Sequence, residues 1–293
     1  DWKNIVPGNT KKTLWTETYN TEDLPQVLQP DSGYFYNANH SPFLSTSKKE
    51  NPNESAFSKN MGFEIYNNNR STRLYMLIEE KEELDYKEFK EIKYDNSLPN
   101  PLSYSWMDIN ALFDIDPKKY PEISNILIQI QQWDRKANVN SYGAGAYAIF
   151  YLKLKKYFRK LPNPKIFPKT FLIETLNETK KHMIKFFGKE KVKLGEFQKL
   201  VRGSKEIPIY GLRDVITAMS SVPYKNGKTR VTAGESYIEL IKFTKDGPEI
   251  ESVISYGSSN NPKSPHFDDQ MEIYSSFKTK KMSLDKEKVL LNA

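Results

Sequence analysis

The chain has 293 residues, of which 38% are hydrophobic, so it is long enough for one large domain or two medium ones with a buried core. Its formal charge of +7 comes from short basic runs spread along the sequence, without the concentrated basic face or the motif typical of a nucleic-acid-binding protein. Cysteine is absent, which excludes disulfides, thiolate catalysis and cysteine metal sites within this chain, and no apolar stretch reaches transmembrane length.

Residues 1–65 contain many turn-forming residues and one short β-prone segment. The opening Asp1–Gly8 has neither the charged start nor the apolar stretch of a signal peptide, and no initiator methionine, so we expect a product of processing or truncation. Further on, Gly33–Tyr36 favours a strand and Asn37–His40 favours a turn directly after it. Binding groups often lie on loops beside rigid strands, so this turn is a candidate site.

Residues 66–190 are predicted to be largely helical, because apolar residues recur there at helical spacing. We expect helices at residues 66–93, 105–113 (with Ser105 as a cap), 119–133, 144–160 and 169–187. The fourth is expected to be amphipathic, with a basic C-terminal end that suits the helix dipole. The fifth is expected to end at Gly188.

Residues 191–293 change to the period of strands. Ser236–Phe243 alternates apolar and polar residues, Glu249–Tyr256 does so less regularly, and Asp246–Pro248 lies between them, which predicts a β-hairpin. Residues 257–266 are a polar loop, and 269–277 is a short helix or turn. The predicted order along the chain is a loop and strand, then helices, then strands. This order indicates an α+β chain, with a layered α/β arrangement as the alternative.

The common local motifs of catalysis and cofactor binding are absent from the sequence: no nucleophile elbow, zinc-protease helix, phosphate loop or dinucleotide loop is present. The three histidines are His40, His182 and His266, and their spacing does not support a metal site. His182 lies in a basic helix and is predicted to be a surface residue. No local context singles out one serine for a Ser-His-Asp triad.

Five segments, in order, resemble the β subunit of penicillin acylases and acyl-homoserine-lactone acylases. They are Pro25–Phe43, Trp133–Phe150, Leu194–Pro208, Gly234–Ile241 and Tyr256–Gln270. The first runs from a glycine-aromatic strand into an Asn-x-Asn-x-x-Pro turn, and the last holds a Ser-Pro-His-aromatic-x-Asp-Gln motif. Because they span nearly the whole chain, it is similar to the C-terminal portion of the β subunit of a penicillin-acylase-family N-terminal-nucleophile hydrolase, closest to the lactone-acylase branch.

This resemblance implies a four-layer αββα sandwich of which the chain forms a part, divided here into residues 1–65, 66–190 and 191–293. It also implies that a precursor cleaves itself into α and β subunits and exposes a Ser, Thr or Cys whose α-amine is its own general base. Asp1 does not suit that role, so the nucleophile is expected upstream. The implied partners are the α subunit and the N-terminal part of the β subunit, in a periplasmic or secreted protein.

The resemblance assigns two catalytic roles within this chain. Asn39 matches the family's second turn asparagine, whose side-chain amide donates to the oxyanion; from composition alone, a turn-forming role would be preferred. Asn37 is expected to anchor the turn. Arg70 matches the arginine that orients the amine and the asparagine network, with Arg73 as the competing candidate and a solvated helix arginine as the bland alternative.

Other family features are weaker in this sequence. Some members bind calcium through β-subunit carboxylates, but only Glu50 and Glu54 follow the asparagine turn, so no cofactor is expected through this chain. In the closing segment, His266, Asp268, Asp269 and Gln270 are expected to play a hydrogen-bonding, structural role.

The leading hypothesis is an acylase that hydrolyses a linear amide between an acyl chain and an amine-bearing core through an acyl-enzyme on an upstream serine. N-acyl-homoserine lactones or related amides are preferred over penicillins as substrates. The alternative is a non-catalytic envelope or binding protein that keeps the acylase fold. No nucleic-acid partner is expected.

Overall fold

The computed structural model describes residues 4–162 and 165–291. Most of the helical residues precede residue 198, and the longer strands lie at or after it. The α-helices are α1 (Asn69–Glu79), α2 (Tyr86–Lys93), α3 (Ser124–Gln131), α4 (Tyr142–Leu154), α5 (Lys169–Phe187), α6 (Leu194–Phe197), α7 (Met271–Ser275) and α8 (Lys286–Leu291). The strands are β1 (Met107–Asp108), β2 (Lys165–Ile166), β3 (Gln198–Arg202), β4 (Lys205–Pro208), β5 (Met219–Pro223), β6 (Thr229–Gly234), β7 (Tyr237–Thr244), β8 (Gly247–Ile254) and β9 (Lys280–Lys281). The predicted α+β class is confirmed.

The strands form three sheets. A four-stranded sheet has the order β4-β3-β6-β5, in which β3 and β6 run parallel and the other pairs antiparallel. A three-stranded antiparallel sheet has the order β7-β8-β9, and β1 and β2 form a short parallel pair. The predicted hairpin is confirmed as β7 and β8, although Gly247 and Pro248 already belong to β8.

Helix α4 lies at the centre of the main core. Ten of its thirteen residues are buried, so the prediction of an amphipathic helix is wrong: packing covers it on almost every side. Two glycines allow this approach, because a Cβ at Gly143 would lie 2.4 Å from the Trp133 Cβ, and one at Gly145 would lie 2.0 Å from the Val192 carbonyl oxygen. The predicted stripe of α3 packs here as well: Ile123, Ile126, Leu127 and Ile130 are fully buried.

Four predicted helices have different bounds or do not form. The helix predicted at residues 119–133 is shorter and spans Ser124–Gln131. Residues 66–93 form two helices, because Asp85 caps a new helix with Glu88 after the acidic run that ends α1. Residues 105–113 form strand β1 and the start of a 3-10 turn, Asn110–Asp114, instead of a helix. Residues 144–160 end as an α-helix at Leu154. Helix α5 matches its prediction and ends at Gly188, whose φ of 68° is left-handed.

Two further predictions are wrong. Gly33–Tyr36 is not a strand, because within the described residues its backbone bonds only to loop atoms: the Tyr36 N–H donates to the Ser45 carbonyl at 2.8 Å. His182 is buried, with 8% exposure, and its Nε2 lies 2.7 Å from the Gly227 carbonyl oxygen. Asp1 and Pro164 lie outside the described residues. None of the described helices combines the length and the apolar character needed to cross a membrane.

Candidate functional site

The asparagine turn predicted from the sequence is held by its own side chains. The Asn39 N–H donates to Asn37 Oδ1 at 2.9 Å, so Asn37 anchors the turn as predicted. Asn39 itself has a φ of 56°, in the left-handed region that asparagine tolerates better than most residues. The exposed Asn39 side chain is therefore presented at the tip of a fixed turn.

Beside Asn39, the side chain of His40 is buried and holds the turn through two hydrogen bonds. The Ala38 N–H donates to His40 Nδ1 at 3.1 Å, and His40 Nε2 lies 3.0 Å from the Leu44 carbonyl oxygen. Nδ1 must accept, so the imidazole is neutral and donates from Nε2. Burial lowers the pKa of His40, which favours the same neutral form.

The start of α1 joins this turn to the helix. Asn68 caps α1 by accepting from the Ser71 N–H, while its Nδ2 donates to the carbonyl oxygens of Ala38 and Asn39, at 2.8 Å and 3.1 Å. The turn and the first residues of the helix thus form one hydrogen-bonded unit.

Arg70 fixes the orientation of the Asn39 amide. Its Nη1 donates to Asn39 Oδ1 at 3.1 Å. A guanidinium can only donate, so the oxygen of the amide must face Arg70 and the Nδ2 hydrogens must face away from it. Within the described residues, no hydrogen bond uses those Nδ2 hydrogens. Arg73, the competing candidate, instead pairs with Asp95 through bonds of 3.1 Å and 2.9 Å.

Asp214 holds the other side of Arg70. Its Oδ1 accepts from Arg70 Nε at 3.2 Å, and its Oδ2 accepts from the backbone N–H and the Nδ2 of Asn69, at 3.0 Å and 2.9 Å. Asp214 also has a left-handed φ, of 65°. Burial raises the pKa of Asp214, although its hydrogen bonds and Arg70 act in the opposite direction.

These groups line an open cleft of about 420 Å³, which we call the Asn39 cleft. Its walls come from the asparagine turn, the start of α1, the Ser105–Trp106 segment, the loop before β5, and the ends of β5 and β6. Its volume lies within the range of small-molecule sites, roughly 300–1,000 Å³. The cleft lining includes Asn39, Asn68, Arg70, Trp106, Arg213, Asp214, Ser220 and Glu235.

Glu235 supplies a second half-buried carboxylate to this cleft. Burial raises its pKa, and Lys93, which hydrogen-bonds to Oε1, lowers it. Glu235 Oε2 is buried and has no hydrogen-bond partner among the described residues. The Tyr274 hydroxyl donates to the Glu235 carbonyl oxygen at 2.6 Å, which fixes the backbone at this point.

Two residues of the site were missed from the sequence. Asp214 and Glu235 lie in short segments, Gly211–Val215 and Gly234–Ile241, where no local motif distinguishes a buried carboxylate from a surface one. Glu235 at least falls in a segment that resembles the family, whereas Asp214 is separated from Asn69 by 145 residues. Only the fold brings these carboxylates to Arg70 and Lys93.

The closing segment has the structural role that was predicted. Gln270 Oε1 accepts from the Ile254 N–H at 3.1 Å, and the Gln270 N–H donates to the Tyr256 carbonyl oxygen at 2.8 Å. His266 Nδ1 lies 2.9 Å from Asp269 Oδ2, and Asp268 faces Lys205 at 3.7 Å. The segment therefore holds β8 and α7 together and does not enter the Asn39 cleft.

Carboxylates after the asparagine turn are engaged with the loop itself. Glu50 accepts hydrogen bonds from the Ser32 N–H and from the Ser47 hydroxyl, at 3.2 Å and 2.6 Å. Glu54 lies in the following exposed 3-10 turn. Across residues 4–162 and 165–291, no group of three or more His, Asp or Glu side chains is placed to hold a metal ion.

Comparison with known proteins gives one family. The family model described as penicillin amidase matches residues 1–290. The acyl-homoserine lactone acylase PvdQ of Pseudomonas syringae pv. syringae is 36% identical over 86 residues, which is 28% of this chain and 11% of that protein. The PvdQ acylase of Pseudomonas fluorescens (strain Pf0-1) is 32% identical over 89 residues, 29% of this chain and 11% of the relative.

Among solved structures, the thermostable penicillin G acylase from Alcaligenes faecalis aligns with this chain at a TM-score of 0.43 and 13% sequence identity. The alignment covers 90% of this chain and 56% of the acylase chain. The matches to the two acylase relatives span about a tenth of the length of those proteins.

Proposed function

The chain belongs to the penicillin amidase family, and we propose that it forms the oxyanion-binding part of an acylase that hydrolyses a linear amide. The single observation that carries this proposal is the Asn39 amide, whose oxygen is taken by Arg70 and whose Nδ2 hydrogens remain available beside a cleft. A preorganised, uncharged donor is what a developing oxyanion requires.

In the proposed reaction, the hydroxyl of an upstream N-terminal serine attacks the amide carbonyl while its own α-amine takes the proton. The carbonyl oxygen becomes negative and accepts a hydrogen bond from Asn39 Nδ2. The C–N bond then breaks, the α-ammonium returns the proton to the leaving amine, and an acyl-enzyme remains. Water attacks this ester by the same route and releases the acid and the free serine.

Arg70 and Asp214 act in this scheme through Asn39. Arg70 holds the amide oxygen so that the amide cannot rotate its hydrogens away from the substrate, and Asp214 holds Arg70. We assign both as positioning residues. An oriented donor needs little rearrangement during the reaction, and removing one such donor typically lowers turnover by about a hundredfold to a thousandfold.

We propose N-acyl-homoserine lactones or related acyl amides as substrates, since the two relatives bear the name of acyl-homoserine lactone acylases. Penicillins are the alternative. We further propose that the active protein is a periplasmic or secreted heterodimer, in which the α subunit and the N-terminal part of the β subunit supply the nucleophile and the rest of the acyl pocket. No cofactor takes part in this mechanism.

The test uses the matured protein made from its full-length precursor. Replacing Asn39 with Ala should lower kcat by about a hundredfold. Because alanine is strained at a positive φ, Asn39→Gly is the matched control: it relieves the backbone and still lacks the donor. An Asn39→Gly enzyme with wild-type turnover would show that the donor is not used.

A second measurement addresses the nucleophile. Mass spectrometry of the matured chain that contains Asn39 should show Ser, Thr or Cys as its first residue. Any other residue at that position would support a non-catalytic protein with the acylase fold and would remove the proposed mechanism.

A further inference from the structure

A second, strongly basic cleft adjoins the Asn39 cleft. It has a volume of about 920 Å³, and we call it the basic cleft. Two aromatic side chains and five cations line it, and none of its described lining residues is acidic: Trp106, Phe158, Lys155, Lys156, Arg159, Lys165 and Arg213. Trp106 and Phe158 pack edge to face at 5.0 Å, so the wall between the cations is a fixed aromatic surface.

Most of this positive charge is not offset by nearby carboxylates. Lys156 is paired with Glu178. In contrast, Lys155, Arg159 and Arg213 form no ion pair with any carboxylate of the described residues. Arg213 lies over the Trp106 ring, 5.5 Å from its centre, and Lys155 lies over the Tyr151 ring at 5.6 Å. These cations rest on aromatic faces instead of acidic partners.

Lys155 and Arg213 also repel each other. Burial lowers the pKa of Lys155, and the positive charge of Arg213 lowers it further. Repulsion between two like charges, with no anion between them, costs folding free energy, and a function that uses both charges would account for their presence. An anion bound at this point would relieve the repulsion and favour the charged form of Lys155.

The basic cleft lies next to the proposed catalytic site. Trp106 and Arg213 line both clefts, and Arg213 directly precedes Asp214, which holds Arg70. A molecule whose scissile amide lies beside Asn39 would reach the cations by extending along Trp106. Arg213 would both contact the group that reaches the cations and form part of the wall of the Asn39 cleft.

We propose that the basic cleft binds an anionic group of the substrate, a carboxylate or a phosphate, carried at a distance from the scissile bond. This inference rests on the proposed acylase function. It selects, among the related acyl amides, those that carry an anionic group, in preference to the neutral N-acyl-homoserine lactones. Arg213 and Lys155 contact the anion, Arg159 adds long-range attraction, and Trp106 packs against the segment between the anion and the amide.

The test compares three chromogenic amides with the matured enzyme. The neutral reference is hexanoyl para-nitroanilide. The mono-para-nitroanilide of adipic acid carries a carboxylate on the acyl side, and the hexanoyl anilide with a carboxylate ortho to the nitro group carries it on the amine side. We expect kcat/KM for one of the anionic amides to exceed that of the reference by about tenfold, with the advantage shrinking at high salt. A phosphonate in place of the better carboxylate then distinguishes the two anions.

Variants connect this selectivity with the cleft. Arg213→Gln and Lys155→Gln should each lower the anionic-to-neutral ratio of kcat/KM several-fold, mainly through KM. Lys160→Gln is the matched control, because it removes the same charge from an exposed residue of the same segment outside the cleft, and it should keep the ratio.

The two proposals fail in different ways. If the neutral and anionic amides are all inert, the proposed function falls and this inference falls with it. If kcat/KM for the neutral amide equals or exceeds that for both anionic amides, only the inference is overturned. The inference is also overturned if Arg213→Gln and Lys155→Gln lower kcat/KM for anionic and neutral amides by the same factor. Such a result would mean that the two cations do not contact the anionic group.

Discussion

Replacing Asp214 with Asn tests whether this residue is kept for positioning rather than for stability. Asn has the same shape and also tolerates the left-handed backbone, so the change removes the charge with little backbone strain. Burial raises the pKa of Asp214 even against Arg70 and Asn69, so ionisation of this carboxyl costs free energy in the folded state, which offsets part of the hydrogen bonding that the variant loses. We therefore expect the unfolding free energy to fall by about 1 kcal/mol, less than for a pair whose charges are favourable.

Activity should respond differently. One oxygen of Asp214 becomes an NH₂ group facing donors on Asn69 or Arg70, so the guanidinium loses a fixed partner and the Asn39 amide loses its orientation. Displacement of a catalytic donor by about 1 Å costs up to about a hundredfold in rate. We expect kcat to fall tenfold to a hundredfold with little change in KM, measured by steady-state kinetics of the matured enzyme.

The matched control is Asp95→Asn, at the other Arg–Asp pair of helix α1. Its side chains are similarly buried, at 23% and 15% exposure against 26% and 12% for the Arg70–Asp214 pair. Here the carboxylate raises the pKa of Arg73, so the pair is favourable and its loss should cost about 1.5–3 kcal/mol. Asp95→Asn should therefore lower the melting temperature but keep kcat. The reasoning is refuted if both variants lose stability and activity in the same proportion.

The pH dependence of stability gives a second test of Asp214→Asn, and two other residues, His40 and Gly145, give independent tests. Because the pKa of Asp214 is raised from 3.8, the wild type should lose stability relative to Asp214→Asn as the pH rises above that value. The pKa of His40 is lowered from 6.5, so its contribution to stability is complete above pH 6.5 and is lost as the pH falls. Between about pH 8 and about pH 5.5, the melting temperature of the wild type should therefore drop more than that of His40→Gln. Equal drops would contradict this. Gly145→Ala should cost at least about 1–3 kcal/mol by denaturant unfolding, because its Cβ would meet the Val192 carbonyl, whereas Gly8→Ala, with nothing within 4 Å, should be neutral.

Elements whose determinants are local follow directly from the sequence. Helix α5 ends where Gly188 adopts a left-handed φ, and the β7–β8 hairpin follows from alternation on either side of a short turn. The Asn37–Asn39 turn is local too, since an asparagine side chain bonds to the backbone two residues later. In each case the residues that decide the structure lie within a few positions of it.

Features that depend on distant residues could not be predicted in this way. The parallel pairing of β3 with β6 joins Gln198 to Thr229, and no periodicity in either segment indicates the other. His182 has a basic helical context typical of a surface residue, yet its partner is the Gly227 carbonyl, 45 residues later. Gly33–Tyr36 has β-prone residues, but a strand requires a neighbouring strand, and within the described residues it has none.

The same distinction divides the candidate site into two parts with different physical origins. Asn39 and Arg70 lie on neighbouring loop and helix segments joined by Asn68, whereas Asp214 comes from a loop 144 residues beyond Arg70. Asn39 and Asp214 both have left-handed backbones, an arrangement that persists only when surrounding contacts hold it. Because Arg70 bonds to both side chains, neither orientation is fixed until the two loops meet. The donor geometry is therefore a property of the folded pair of loops, and a substitution on one loop should be felt by the side chain on the other.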